Sequence, residues 1–138
     1  MRAVSKLLTA AVAASALAVP AVALAGGTSG MTQEQKLAKA LEGRVAGTPV
    51  DCIMQRDIRS TRIYDGVGIV YEMNNGIWYV NRPSSGASSL SWNDVLVTDT
   101  HSNQLCSIDV VKLMDSSTHM QNGFVGLDKF VPWTKPKK

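Results

Sequence analysis

The sequence predicts a small, mostly β domain: a closed or partly open antiparallel barrel or sandwich of about six or seven strands. Three observations predict it. Short runs rich in β-branched and aromatic residues recur between residues 50 and 133, Gly, Pro, Asn, Asp and Ser separate them, and Asp65-Gly66 and Asn75-Gly76 mark two tight corners. A secretory signal peptide and a short helix precede the β region.

The signal occupies residues 1–25. Arg2 and Lys6 form a positive start, residues 7–19 an uncharged apolar run, and Pro20 breaks that run. Ala23-Leu24-Ala25 then presents small residues before Gly26, so cleavage is expected between Ala25 and Gly26. A membrane anchor needs about 20 predominantly apolar residues. This run is shorter and proline-broken, so no membrane span is expected once the signal is removed. No Cys stands near the cut to accept a lipid. The expected destination is periplasmic or secreted.

Removing 25 of the 138 residues leaves 113, enough for one domain. Of the 14 Lys and Arg, two lie in the signal and three in the last four residues, so residues 26–134 carry 9 basic against 11 acidic side chains. Nucleic-acid binding needs Lys and Arg clustered on the folded body, and this balance excludes it as the expected partner. The basic tail, residues 135–138, reads as a solvated end.

Residues 26–48 form a Gly- and Ser-rich lead-in and then a helix. Thr32 is placed as a cap before strong helix formers from Gln33 to Glu42, and Gly43 stops them. Leu37, Ala40 and Leu41 give one narrow apolar stripe, enough to lean on a sheet.

The β domain spans residues 49–134. Its expected strands are 50–54, 58–64, 67–73, 77–82, 95–100, 105–114 and 124–133, with a Ser/Gly loop at 83–91. Read as two-residue type I′ turns, Asp65-Gly66 and Asn75-Gly76 place Tyr64 opposite Val67 and Asn74 opposite Ile77. One face of the meander then carries the rows Ile58–Met73–Trp78, Ser60–Tyr71–Val80 and Arg62–Ile69–Arg82. The other sets Arg59 against Glu72. A slip of one residue would reverse these faces. Gly68 is expected where a neighbouring backbone comes close. Alternation in 105–113 puts Cys106, Ile108 and Val110 on one apolar side.

Cys52 and Cys106 are the two cysteines, both beyond the signal. In an oxidising compartment such a pair reads as a disulfide; the rival reading is two free thiols. The chain has no Cys-x-x-Cys, and neither thiol has a nearby His.

Asp51-Cys52-Ile53, Ile58-Arg59-Ser60, Tyr79-Val80-Asn81-Arg82, Leu105-Cys106-Ser107-Ile108-Asp109 and Gly126-Leu127-Asp128-Lys129-Phe130 together resemble a family of small exported bacterial proteins, domain of unknown function 6491. The resemblance covers residues 50–132. Members of that family commonly carry four cysteines, and the two extra ones fall near Ala87 and Val125. Both are missing here, as loss of one disulfide as a unit would leave. The resemblance therefore implies export, a β fold and Cys52–Cys106 as the remaining bond, and it brings no activity.

No chemical constellation stands out. His101 lies in Asp99-Thr100-His101-Ser102, but triad members come from separated segments, and neighbours on one short strand cannot converge. His119 sits in a loop of turn formers. Two histidines and a paired cysteine couple lack the ligands of a zinc site, so no cofactor or metal is expected. Asp94, Asp99 and Asp109 are scattered, and Asp109 reads as a hydrogen-bonding residue. Trp78 is expected in the core, and Trp92 over the open edge of the barrel.

The one candidate site is Arg62 with Arg82, Tyr71 one row away. In the derived register two guanidiniums flank Ile69, either snorkelling at a rim or together holding a carboxylate or phosphate. The expected function is a non-enzymatic binding or structural module whose partner is a small anion, a cell-wall component or an envelope protein. The alternative is a small cell-envelope hydrolase using scattered Asp and Ser.

Overall fold

The structure, a computed structural model, describes residues 30–138. The signal segment, with Ala25 and Gly26 at the expected cut, lies outside the described residues. One α-helix, α1 (Gln33–Ala40), is followed by ten strands: β1 (Val45–Ala46), β2 (Cys52–Met54), β3 (Ile58–Tyr64), β4 (Gly68–Met73), β5 (Trp78–Asn81), β6 (Asp94–Thr98), β7 (Gln104–Cys106), β8 (Val110–Asp115), β9 (Gln121–Gly126) and β10 (Phe130–Thr134). They form three antiparallel sheets, ordered β1-β10-β5-β4-β3, β6-β8-β9 and β2-β7. None of the sheets closes on itself. Of the expected closed or partly open barrel or sandwich, the mostly β, antiparallel fold is present and closure is not: three open sheets surround shared apolar interiors.

The helix begins as its sequence dictates. The Gln35 amide donates to Thr32 Oγ1 at 3.2 Å, and the Thr32 amide donates to Gln35 Oε1 at 2.8 Å. This reciprocal cap satisfies two amides that the first turn leaves without helical partners. At the other end Gly43 takes φ +76. Leu37 and Leu41 bury against Val70 and Val80, flanked by Tyr64, Val67, Trp78 and Trp133. The stripe does lean on a sheet.

Both hairpins are one residue longer than the type I′ reading requires. Tyr64 pairs with Gly68, Arg62 with Val70, Thr61 with Tyr71 and Ser60 with Glu72; across the second corner Glu72 pairs with Trp78 and Val70 with Val80. Type I′ needs positive φ at both central residues. Here only the glycines have it, Gly66 at +68 and Gly76 at +85, while Asp65 and Asn75 do not. The Met73 amide instead reaches the Ile77 carbonyl at 2.9 Å, which leaves three residues in the second loop. The expected row Arg62–Ile69–Arg82 is thus not formed. The observed rows are Arg62–Val70–Val80 and Ser60–Glu72–Trp78 on the helix side, with Thr61–Tyr71–Tyr79 and Ile63–Ile69–Asn81 on the other.

The physical reason is visible in the charges. The shorter loops would have placed Arg62 and Arg82 beside Ile69, Tyr71 and Met73, which are all buried. A guanidinium left without a partner there is costly. The longer loops instead turn Glu72, rather than Tyr71, to the face that carries both arginines, where Glu72 meets Arg62 and Glu34 of the helix meets Arg82. The expected Ile58–Met73 pair survives because a bulge between Ile58 and Ser60 restores the phase at the end of β3.

The larger core packs Ile53, Ile69, Tyr71, Met73, Leu90, Leu105, Val111, Leu113, Val125, Leu127 and Phe130 between the sheets. With the helix on its other face, β4 is buried at all six positions. Gly68 lies where expected, since a Cβ there would stand 2.7 Å from the Asn81 carbonyl oxygen.

Two expected strands are each split. Within 105–114 the Asp109 carboxylate accepts from the Cys106 amide at 2.7 Å and folds a turn, so Ile108 is 89% exposed and does not share a core face with Cys106. Within 124–133 the fully buried Asn81 side chain exchanges hydrogen bonds with the Asp128 backbone, accepting from its amide and donating to its carbonyl. That satisfies a buried amide and turns the chain into β10. The Ser/Gly loop at 83–91 is pinned. Ser85 bridges to Gly126, and a short 3₁₀ turn covers Ala87–Ser89.

Cys52 and Cys106 are bonded, directly opposite each other in the β2–β7 pair with Cα atoms 4.0 Å apart. The disulfide closes a span of 54 residues. In the chain-entropy account a closure of that length stabilises by about 4 kcal/mol. No helix among the described residues is long and apolar enough to cross a membrane. The disulfide and that observation are compatible with an extracytoplasmic protein.

Candidate functional site

Where a barrel would close, two strand edges stand free. β3 ends the five-stranded sheet and β6 ends the three-stranded one, and neither pairs with a further strand among the described residues. Their Cα traces stay more than 8 Å apart over most of their length. Direct pairing needs about 5 Å. The two edges are held at both ends by hydrogen bonds. At one end the Trp92 amide donates to Asp65 Oδ1 at 2.6 Å and the Gly66 amide to the Leu90 carbonyl at 3.3 Å. At the other, Gln55 Nε2 donates to Thr100 Oγ1 at 2.7 Å and the Gln55 amide to the Asn103 carbonyl at 3.0 Å. The end of β3 thus meets the start of β6, so the edges run antiparallel across a slot.

The slot encloses about 450 Å³, a volume within the usual range of ligand sites. Ile58, Tyr71, Leu96 and Leu105 supply apolar surface, and Thr61 and Thr98 supply hydroxyls from the two edges. Asp94 stands at one end with both carboxylate oxygens engaged, by the Ser91 amide at 3.1 Å and Asn122 Nδ2 at 2.7 Å.

Tyr71 is the unusual member. It is 2% exposed, its ring meets Phe130 edge-on with centroids 5.7 Å apart, and its hydroxyl has no hydrogen-bond partner. A buried hydroxyl without a partner typically costs 1–3 kcal/mol or so, and such groups are few in native structures. Burial pushes its phenol well above the ordinary value, because the phenolate would be stripped of water.

The other two expected ligand-binding residues are elsewhere. Arg62 lies on the helix side of the sheet, with Nε 2.8 Å from Glu72 Oε1 and its guanidinium 5.5 Å from the Trp78 ring centroid. Arg59 reaches the same carboxylate at 3.2 Å, so the expected Arg59–Glu72 pair is present, although the bulge sets Ser60 opposite Glu72. Arg44 stacks on Trp78 at 3.8 Å. Trp78, expected in the core, is half-buried: it packs against the smaller core and lies beneath these cations. Arg82 forks onto Glu34 of α1 at 2.9 and 2.6 Å, which holds that carboxyl below its usual range. Each arginine has its own carboxylate, and Tyr71 is on the opposite face from both. The structure therefore does not assemble Arg62, Arg82 and Tyr71 into one anion site.

The carboxylates are likewise committed to separate turns. Asp94 and Asp115 are opposite in the β6–β8 ladder, yet Asp115 accepts from the Ser117 and Thr118 amides at 2.9 and 2.7 Å and from Asn93. Those bonds hold Asp115 below the usual carboxylate range. Asp109 folds its own turn. His101 is exposed, and His119 takes φ +58 in the turn before β9. Among the described residues no group of three His, Cys, Asp or Glu could hold a metal ion. Trp92, expected to pack over an edge, is 74% exposed beside one end of the slot, because its backbone rather than its ring is what Asp65 holds.

A comparison with known protein families, curated proteins and solved structures gives no match to this chain. Sequence reasoning named Tyr71 but missed Thr61, Leu96 and Thr98. Alternation within 94–98 was a signal for a half-buried strand, but nothing local reveals that this strand and 58–64 lack partners.

Proposed function

We propose that the protein is an exported, non-catalytic binding module and that the slot between β3 and β6 is its ligand site. The observation that carries this reading is the cavity between two free strand edges, walled by Ile58, Tyr71, Leu96 and Leu105 with Thr61 and Thr98 beside them. A concave, mostly apolar cavity with a few polar groups is the usual form of a ligand site. The disulfide supports export, since such bonds persist in oxidising compartments. The resemblance to domain of unknown function 6491 supports the same destination.

The test has two parts. Mass spectrometry of envelope material from cells making the full chain should find an N-terminus at Gly26 and no free thiol. Titration of the isotope-labelled protein with a small-molecule fragment set, followed by NMR, should move the amide signals of Thr61, Leu96 and Thr98 together. Shifts confined to the 270 Å³ cavity beside Arg82 and Trp133, or none at all, would refute the slot as the site.

A further inference from the structure

We propose that the helix side of the five-stranded sheet carries a second, separate site, in which Arg44, Arg59 and Arg62 together hold a dianionic phosphate monoester beside Trp78. It lies on the face opposite the slot and does not depend on the slot being a ligand site. Three observations carry it: how the guanidiniums are gathered, which donors each leaves unused, and the charge left uncancelled.

The sheet itself gathers the cations. Helix α1 covers Val70 and Val80, but over the neighbouring row Ser60–Glu72–Trp78 lie guanidinium groups instead. Arg59 and Arg62 both reach the buried Glu72 carboxylate from β3, at 3.2 and 2.8 Å. Arg44 arrives from the turn after α1, where Gly43 takes φ +76, and lies 3.8 Å over the Trp78 ring. The Arg62 guanidinium stands 5.5 Å from the same ring centroid. One carboxylate and one indole therefore fix all three cations, and a ligand meets them already placed.

Each guanidinium also keeps donors unused. Arg62 meets Glu72 through Nε, Arg59 through Nη2, and Arg44 Nη1 donates to the Gly76 and Trp133 carbonyls at 3.0 and 3.3 Å. Among the described residues no partner meets Nη1 and Nη2 of Arg62, Nε and Nη1 of Arg59, or Nε and Nη2 of Arg44. Arg62 thus retains its end-on fork and Arg44 its side-on fork, the paired N–H groups that match two oxygens of a phosphate. The Arg59 and Arg62 side chains are 62% and 55% exposed, so a ligand can reach them. Glu72 is the single carboxylate paired with any of the three among the described residues. Like charges held together repel. Three cations against one carboxylate are balanced by a dianion, whereas a carboxylate or a phosphate diester supplies half of what is needed. Lys135 borders the same corner beside Gly76, so the basic tail adds to the attraction.

The experiment titrates the isotope-labelled, signal-processed protein with methyl phosphate and, separately, with dimethyl phosphate. It is done at low ionic strength and a pH of about 8, where a monoester carries close to two charges. NMR follows the Trp78 indole and the amides of Arg44, Arg59 and Arg62. Methyl phosphate should move them saturably and bind at least tenfold more tightly than dimethyl phosphate, while Leu96 and Thr98 in the slot stay still. Arg62→Lys, which keeps the charge opposite Glu72 but loses the fork, should weaken binding at least fivefold. Arg44→Gln should do the same, and because it leaves Glu72 paired it serves if the first variant does not fold. Vesicles carrying phosphatidic acid, a lipid monoester, tell the source. Sedimentation with them, reversed by methyl phosphate, marks a lipid headgroup, and solution binding without sedimentation marks a soluble monoester; both support the site. Equal affinity for the two phosphates, no movement at Trp78, or affinity unchanged in both variants overturns it.

Discussion

Replacing Arg59 and Arg62 together by methionine would expose how the helix side of the sheet tolerates a buried carboxylate. The Glu72 side chain is 4% exposed, whereas the Arg59 and Arg62 side chains that reach it are 62% and 55% exposed. The pair is therefore asymmetric. Removing Glu72 frees two guanidiniums that already touch water, but removing both arginines strands a carboxylate that does not. Methionine keeps the apolar stems and takes away the donors. Breaking a buried ion pair from the exposed side should cost about 3 kcal/mol, the lower end of the usual span because Arg44 stands nearby on Trp78. For a domain of this size that is a fall in Tm on the order of 10–20 °C. Glu72→Gln alone should cost about 1 kcal/mol, and adding it to the double variant should recover most of the loss. The assay is urea and thermal unfolding by circular dichroism with the disulfide intact, analysed as a double-mutant cycle. A double variant within about 1 kcal/mol of the parent, or a Glu72→Gln loss as large as that of the double variant, would refute the asymmetry.

Other expectations follow from single features. Cys52→Ser with Cys106→Ser should lower stability by about 4 kcal/mol, measured by denaturant unfolding, and reduction of the parent should give the same loss. Gly86→Ala should destabilise by about 3 kcal/mol or more, because Gly86 has φ +73 and a Cβ there would collide with the Phe124 carbonyl oxygen. Alkaline pH should act through Tyr71. Its phenol is raised in the fold, so the unfolded chain ionises first, and stability should be intact below pH ~10 and fall as pH rises above it. Unfolding midpoints of the parent and Tyr71→Phe, compared from pH 8 upward, check this, since only the parent should carry that slope.

What was legible in the sequence was local. The Thr32–Gln35 cap needs only neighbours, and strand 58–64 announces itself by composition between two turn clusters. The Cys52–Cys106 bond followed from compartment and count. The register was not legible, because Asp-Gly and Asn-Gly suit a two-residue loop and a three-residue loop alike. The choice was made at a distance, by where Arg62 and Arg82 could find Glu72 and Glu34. Strand splitting was hidden for the same reason. Residues 124–133 read as one run until Asn81, more than forty residues away in the chain, takes hold of the Asp128 backbone. Of the candidate site, Tyr71 was found by its chemistry and the wrong neighbours were assigned to it. A missing partner strand leaves no mark in the residues that lack it.

The two lengthened corners also have a consequence for insertions and deletions. Shortening either corner alone by one residue would rotate everything on its far side by half a turn of the pleat. Shortening both would return β3 and β5 to their present orientation relative to each other and invert only β4 between them. That inversion would press Glu72 into the space of Tyr71 and bring Tyr71 beneath the helix. The meander thus behaves like a lock with two tumblers: length changes are tolerable only outside its corners, and even a matched pair leaves the middle strand facing the wrong way.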